Sequence, residues 1–312
     1  MPVKNSEKYI AEAINSILMQ TYKNYELIIF DTSTDETPKI IKKITDKRIK
    51  YFRDNNKSLA SVLNEAISIS NGDYIARMDH DDICDYTRIE EQYNFINNNK
   101  NIDIVGTNYI AIDEDGNKLF YKKLPEHNED IEYMMPIITS VLHPTILVRK
   151  RVLFESGLYS EDINFPEDTE LFLRMLLKGY KFYNIQKPLY YYRLRNRDAE
   201  FYKKRDNMTY KLGTDYLKKY YSEKNDNKYE FERCFRIGLL EYYKGSLINS
   251  RRIFLKCIKI KPFKFPKLFR YLILSISGKL FLGNLRKLKI TKKINFLINK
   301  ITKIDTNKIK RI

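Results

Sequence analysis

Four consecutive residues, Asp79-His80-Asp81-Asp82, carry the densest chemistry in the chain. They follow Asp73-Tyr74-Ile75-Ala76-Arg77-Met78, a run that reads as a short strand entering a core. Three carboxylates packed at a strand end repel one another and lose solvation. A cation offsets both penalties, and hard, oxygen-preferring divalent ions such as Mn2+ or Mg2+ are the natural occupants. Such ions commonly hold diphosphates, so the cluster suggests an enzyme that handles a nucleotide-activated substrate. The competing reading of an isolated D-x-D-D is a solvated acidic turn after a strand, and the neighbouring sequence decides between the two.

The elements that must position this cluster are legible around it. Residues 6–20 predict an amphipathic helix capped by Ser6, with Tyr9, Ile10, Ala13, Ile14, Ile17 and Leu18 at helical spacing. Tyr25 to Phe30 is a short apolar run of the buried parallel-strand type, ending at the turn Asp31-Thr32-Ser33-Thr34-Asp35. A helix to about Thr45, a strand from Ile49 to Phe52, a helix from Leu59 to Ser70 and the strand into Asp79 complete a βαβαβ alternation. That order predicts an α/β fold with an open parallel sheet and helices on both faces. Ligands sit beyond the carboxyl ends of such strands, so Asp31 and the Asp79 cluster could serve one site. Farther on, Ile104-Val105 predicts a strand, and Asp113 to Asn117 a hairpin turn; a calcium loop would need a Glu at its twelfth position. His143-Pro144-Thr145 precedes a strand from Ile146 to Val148. Pro166-Glu167-Asp168 opens a helix with Leu171, Phe172, Met175 and Leu176 on one face. From about Asp198 the chain reads as helical, and Gly238 to Pro262 as a packed helix pair.

The 312 residues suffice for an α/β domain of roughly 200 residues and an appendage. Cys84, Cys234 and Cys257 are scattered and odd in number, so no disulfide framework is implied and a reducing cytosol is the expected setting. No stretch of about 18 uncharged apolar residues predicts a membrane span, and no signal peptide pattern opens the sequence. The net charge of +17 is unevenly placed: residues 251–312 hold 19 Lys/Arg and one acid, Asp305, whereas the first 250 residues hold 38 basic and 39 acidic residues. Within that tail, Lys and Arg interleave with Phe, Leu and Ile, as in Lys264 to Arg270 and Leu285 to Ile298. Basic amphipathic segments of this kind bind anionic membrane surfaces; a solvated basic extension is the alternative. No nucleic-acid-binding module is visible, so no nucleic acid is expected as a partner.

Several segments, in this order, resemble the inverting family 2 glycosyltransferases of GT-A fold. They are Met1-Pro2-Val3-Lys4-Asn5 with Ser16 to Tyr22, Glu26 to Asp31, Ser33-Thr34-Asp35, Asn64, Gly72 to Asp82, and Glu167-Asp168. The resemblance covers residues 1–195. It implies a GT-A domain over 1–197, followed by a helical, basic region over 198–312. It further implies that Asp31 meets the nucleotide base or ribose, that Asp79 and Asp81 form the D-x-D pair at ribose and metal, and that Asp82 supports the metal or the sugar. Asp168, with Glu167 beside it, would be the catalytic base, since inverting transfer needs a carboxylate to take the acceptor's proton. Both carboxylates also suit a plain helix N-terminus. Asn64 would hold the base-binding loop or cap backbone groups, and His143 would lie near the acceptor or serve as a structural histidine. The expected donor is a nucleotide sugar, UDP-linked, and the expected acceptor is a glycan or a lipid-linked sugar at the cytoplasmic face of the plasma membrane.

Three departures from the family pattern shape the expectations. The loop Asp31-Thr32-Ser33 is one residue shorter than the usual Asp-Asp-Gly-Ser. Arg195 stands where relatives often carry a histidine, and a cation there would contact the diphosphate or weaken metal binding. The family enters Pro2-Val3 from a longer hydrophobic strand, which predicts an upstream start with Met1 internal, or a truncated and poorly active protein. These departures keep a non-catalytic GT-A-like protein that binds a nucleotide sugar or a partner as the alternative.

Overall fold

The computed structural model describes residues 1–54, 56–163, 166–195, 199–222 and 229–260. Pro2–Val3 (β1) pairs in parallel with Leu27–Asp31 (β2), which pairs in parallel with Ile49–Arg53 (β3). Pairing at β1 extends to Met1, whose amine donates to the Ile28 carbonyl at 2.8 Å. Helices Ile10–Leu18 (α1), Thr37–Lys42 (α2) and Leu59–Ile69 (α3) connect and cover these strands. Alternation along β2 sorts its side chains: Leu27 and Ile29 pack with Ile10, Ala13, Ile14, Ile17 and Ile41, whereas Ile28 and Phe30 pack with Val62. Helices therefore lie on both faces, as the apolar run predicted.

The α1 start differs from expectation. The helix begins at Ile10 behind Tyr9, and no side chain caps it. Ser6 contributes its carbonyl to the Tyr9 and Ile10 amides instead, because its hydroxyl donates to the His80 carbonyl at 3.0 Å. That bond ties the acidic loop to the start of the chain.

The strand leading into the acidic cluster, Tyr74–Ala76 (β4), belongs to a second, mixed sheet. Its other members are Ile83–Cys84 (β5), Ile104–Ile112 (β6), Lys118–Lys122 (β7), Leu147–Arg149 (β8) and Phe182–Arg193 (β9), and the order is β4-β8-β6-β9-β5 with β7 on β6. β4 runs antiparallel to β8, and β6 parallel to β9. Helices Arg88–Asn98 (α4), Asn128–Met134 (α5), Lys150–Ser156 (α6) and Glu167–Leu177 (α7) complete this part. Asp113 to Asn117 forms the expected hairpin turn between β6 and β7: the Asp113 carboxylate accepts from the Asp115 and Asn117 amides, and Gly116 takes φ 88°. On α7, Leu171, Phe172, Met175 and Leu176 are buried as the periodicity predicted.

The chain divides into two compact units, residues 1–212 and 213–312. Helix Ala199–Ser222 (α8) is followed by Glu230–Lys244 (α9) and Leu247–Ile260 (α10), the expected helix pair. Gly245 makes the turn at φ 93°, and Gly238 lets Phe254 of α10 approach α9 closely. The interleaved basic tail lies outside the described residues. Among the described residues, no helix is long and apolar enough to cross a membrane.

Candidate active site

β2 delivers Asp31 fully buried at its carboxyl end. Oδ1 accepts from the Ser33 amide at 2.8 Å, and Oδ2 accepts from the Tyr51 hydroxyl of β3 at 2.6 Å. Burial, and then the hydrogen bond to Asp31, push the Tyr51 phenol far above its ordinary value, so it stays protonated and donates. The shortened loop is clasped from the other side. Asn5, at φ 50°, donates its amide to the Ser33 hydroxyl and accepts from the Thr34 amide, and the Thr32 amide donates to the Val3 carbonyl. Asp31 is thus a fixed carboxylate at a rigid strand end.

β4 delivers the acidic cluster. Donor oxygens of Asp79, Asp81 and Asp82 all lie within 4.8 Å of one another. Each carboxylate is held differently. Asp79 Oδ1 is 2.7 Å from the buried Arg77 guanidinium. Burial alone would raise the Asp79 pKa, but the charge of Arg77 prevails and lowers it. Asp81 Oδ2 is 2.6 Å from Arg195 Nε. The Nε–H does not point at that oxygen, so the contact is charge against charge without a formed hydrogen bond. Asp82 is 1 % exposed, and its Oδ1 accepts from the Arg193 amide at 2.7 Å. Its Oδ2 is buried without a hydrogen bond. Burial, followed by the charges of Asp79 and Asp81, raises the Asp82 pKa well above the ordinary value. His80, in the variable slot, turns away to the Pro2 carbonyl at 3.1 Å.

These residues fit a hard divalent cation. The donors are all carboxylate oxygens, they converge, and one of them is a buried acceptor without a well-formed hydrogen bond, only the Tyr190 hydroxyl being near. Asp79, Asp81 and Asp82 would hold the ion. Arg195 is the competitor, because it already neutralises Asp81.

Glu167 and Asp168 open α7 behind Pro166. Glu167 is buried; burial, and next the Asp168 charge, push its pKa up to about 7, and its Oε2 has no hydrogen-bond partner. Asp168 is raised by burial too, against the Thr169 amide that donates to its Oδ1 at 2.6 Å. The charges of Arg77 and Asp79 act on both residues, which puts the acidic pair and the acidic cluster in one electrostatic neighbourhood. His143 sits in a 3-10 turn, His143–Thr145, and its Nδ1 is 4.0 Å from Glu167 Oε1. Asn64 does not face the cluster through its amide group. That amide clasps the Tyr159 backbone, accepting from its N–H at 2.9 Å and donating to its carbonyl at 3.0 Å. This is the backbone-capping alternative of the sequence reading.

Sequence reasoning missed four contributors. Arg77 sits two residues before Asp79, and a cation this close in sequence to the acidic run was the available signal. Arg193 stands beside the residues singled out. It donates Nε to the Asp81 carbonyl, Nη1 to the Asp113 and Glu114 carbonyls, and Nη2 to Glu12 at 2.7 Å. Tyr51 and Tyr159 carry no local signal, because only tertiary register brings them to Asp31 and His143.

Comparison with known proteins agrees with the fold. The family model described as Glycosyl transferase family 2 matches residues 1–158. The O-antigen biosynthesis glycosyltransferase WbnJ of Escherichia coli is 34% identical over 206 residues, 64% of this chain and 80% of its own length. S. aureus TarS 1-349 in complex with UDP-GlcNAc superposes with a TM-score of 0.58 at 20% identity, covering 88% of this chain and 79% of that one. The mannosyltransferase PcManGT from Pyrobaculum calidifontis, in complex with GDP-Man and Mn2+, gives 0.52 at 14% identity, covering 90% and 85%. The architecture is the GT-A fold. The chain belongs to glycosyl transferase family 2.

Proposed function

We propose that this chain is a metal-dependent inverting glycosyltransferase that moves a sugar from a UDP-linked donor to a lipid-linked or polysaccharide acceptor in surface-glycan synthesis. The observation that carries the reading is the pairing of a converging, partly orphaned carboxylate triad with a second, buried carboxylate pair under the same Arg77 charge. TarS with UDP-GlcNAc, PcManGT with Mn2+ and the O-antigen role in the name of WbnJ support donor, metal and pathway class respectively. The catalytic domain is residues 1–197.

In this reading Asp31, clamped by Tyr51 and Ser33, receives the base or ribose of the donor. Asp79, Asp81 and Asp82 hold Mn2+ or Mg2+, which when bound neutralises charge on the departing diphosphate. Arg195, beside Asp81, would supply a second cation at the same diphosphate. Asp168 takes the proton of the acceptor hydroxyl as its oxygen attacks the anomeric carbon from the face opposite the diphosphate. Glu167, raised to about 7 next to it, keeps the pair in the range where a base works at neutral pH. Asn64 supports the site indirectly, through Tyr159. The basic tail holds the protein to the anionic inner face of the plasma membrane, where lipid-linked acceptors reside; flotation with anionic liposomes at low salt, against a tail-deleted protein, tests that part.

The ion pairs on Asp79 and Asp81 favour one other reading, a GT-A domain that binds nucleotide sugar without turnover. Calorimetric titration of UDP, with and without Mn2+, into wild type and Asp81→Asn decides first whether the site binds. Metal-dependent binding lost in the variant supports the nucleotide site, and turnover of UDP-sugars then separates enzyme from binder. Metal-independent binding of equal strength in both proteins sinks the assignment of Asp81.

A further inference from the structure

His143 is more tightly specified than a space-filling histidine needs to be. Its Nε2 lies 2.7 Å from the Tyr159 hydroxyl. Its ring is held at 5.5 Å from the Tyr159 ring and edge-on to Phe172 at 5.9 Å, so it cannot rotate freely. The Tyr159 backbone is itself pinned to α3 by both faces of the Asn64 amide. Tyr159 is buried, and its phenol is pushed far above the ordinary range, so it stays protonated and can donate to Nε2. A phenol that donates to Nε2 leaves the ring proton on Nδ1. That nitrogen faces Glu167 Oε1 at 4.0 Å, longer than a formed hydrogen bond and within reach of charge–dipole attraction, with both side chains more than nine-tenths buried.

We propose that Tyr159, His143 and Glu167 form a directional relay in which the tyrosine hydroxyl fixes His143 as the Nδ1–H tautomer and aims that proton at Glu167. His143 and Tyr159 are then positioning residues for the carboxylate pair. The proposal rests on the reading of Glu167 and Asp168 as the acceptor-side pair. The physical consequence is a division of labour. A donor aimed at Glu167 favours its ionised form and fixes its orientation, so the proton leaving the acceptor is directed to Asp168. Without the relay, an imidazole lone pair can face Glu167 and push its proton affinity upward. The groups facing Glu167 are Asp168 on its own helix, His143 from the 3-10 turn, Arg77 and Asp79 from β4 and the loop after it, and Tyr159 from the loop after α6. Those facing His143 include Arg77, which with burial holds it neutral, and Asp79, which opposes this.

Two measurements on the full chain test the relay separately from the functional reading. The chain has only three histidines, His80, His127 and His143, so long-range proton–nitrogen NMR can resolve each imidazole and assign it by substitution. His143 is expected as a neutral Nδ1–H tautomer from pH 5 to 8, shifting to Nε2–H or a mixture in Tyr159→Phe. An Nε2–H tautomer in wild type overturns the relay, whatever the enzyme does. The second measurement is UDP release from UDP-GlcNAc by wild type, Y159F, H143N and H143Q, with UDP affinity as the control for an intact nucleotide site. Asparagine places its amide near the Nδ1 position and keeps a donor toward Glu167; glutamine reaches toward Nε2 and keeps only the Tyr159 contact. The relay predicts that H143N stays within about threefold of wild-type kcat while Y159F and H143Q fall about tenfold or more, with KM unchanged and the acid limb of kcat moved to higher pH. H143Q equal to or better than H143N, or an unmoved pH limb in Y159F, means that His143 only supports Tyr159. Failure of wild type to bind UDP overturns the functional reading, and the NMR result still decides the relay.

Discussion

Asp82 gives the sharpest test of the acidic cluster. At 1 % exposure it places a carboxyl group beside Asp79 and Asp81, with no well-formed hydrogen bond on Oδ2 and the Tyr190 hydroxyl close by. Its pKa is raised above the ordinary 3.8, so the folded state holds the proton more tightly than the unfolded chain. Stability contributed by that preference is present at acid pH and lost as pH rises through the raised folded-state value, so ionisation of the group opposes folding. Asp82→Asn keeps Oδ1 as acceptor for the Arg193 amide and removes the charge. Relief of one buried, unsatisfied acceptor is worth roughly 1–3 kcal/mol. For a unit of this size that corresponds to a Tm increase of roughly 3–9 °C in EDTA at pH 7. Mn2+ reverses the order. At about 100 times its Kd, a bound ion stabilises the wild type by about 2.7 kcal/mol, whereas the variant, short of one carboxylate, gains little. Scanning calorimetry of both proteins in EDTA and in Mn2+ reads the inversion directly. Asp82→Asn that melts below wild type in EDTA, or that gains as much from Mn2+, refutes the argument that the triad is strained without a cation.

Arg195→Ala frees the Asp81 carboxylate, and Mn2+ affinity in the absence of nucleotide is expected to tighten about tenfold, read by titration calorimetry; no change means the 2.6 Å contact does not compete with the ion. Glu167, raised from 4.5 to about 7, favours folding while protonated, so stability falls as pH rises through that interval, and Glu167→Gln flattens the fall in urea titrations across pH 4 to 8. The same ionisation makes kcat/KM climb toward neutral pH. In the second unit, a Cβ on Gly238 would come within 2.6 Å of the Phe254 ring, so Gly238→Ala is expected to destabilise the α9–α10 pair by about 1–3 kcal/mol, visible as an early helical transition by circular dichroism.

Much of this architecture could be read from the chain because its local signals agree. The apolar run from Tyr25 onward has one solution, a strand buried on both faces, and the helical spacing from Ile10 to Leu18 has another. The Asp79 cluster announced itself by charge density. What stayed hidden depends on register between distant segments. Nothing near Asp73 says that its strand will pair antiparallel with Leu147–Arg149 in a separate mixed sheet. Ser6 looked like a helix cap because caps are local; its bond to His80 spans 74 residues. Asn64 lay in a family-matched position, yet its amide is occupied by Tyr159, 95 residues away. The roles that a single residue type can announce were visible, and the roles conferred by a neighbour were not.

Arg193 grips Glu12 from 181 residues away and caps Asp82 from 111 residues away. A ribosome making this chain therefore delivers the parallel strands, α1 and the whole acidic loop well before the strand that braces them. Until β9 emerges, Asp82 waits without its backbone donor and Glu12 without its counter-ion. The site is finished late on a growing chain, and any product cut short of residue 193 carries the acidic loop without the arginine that braces it.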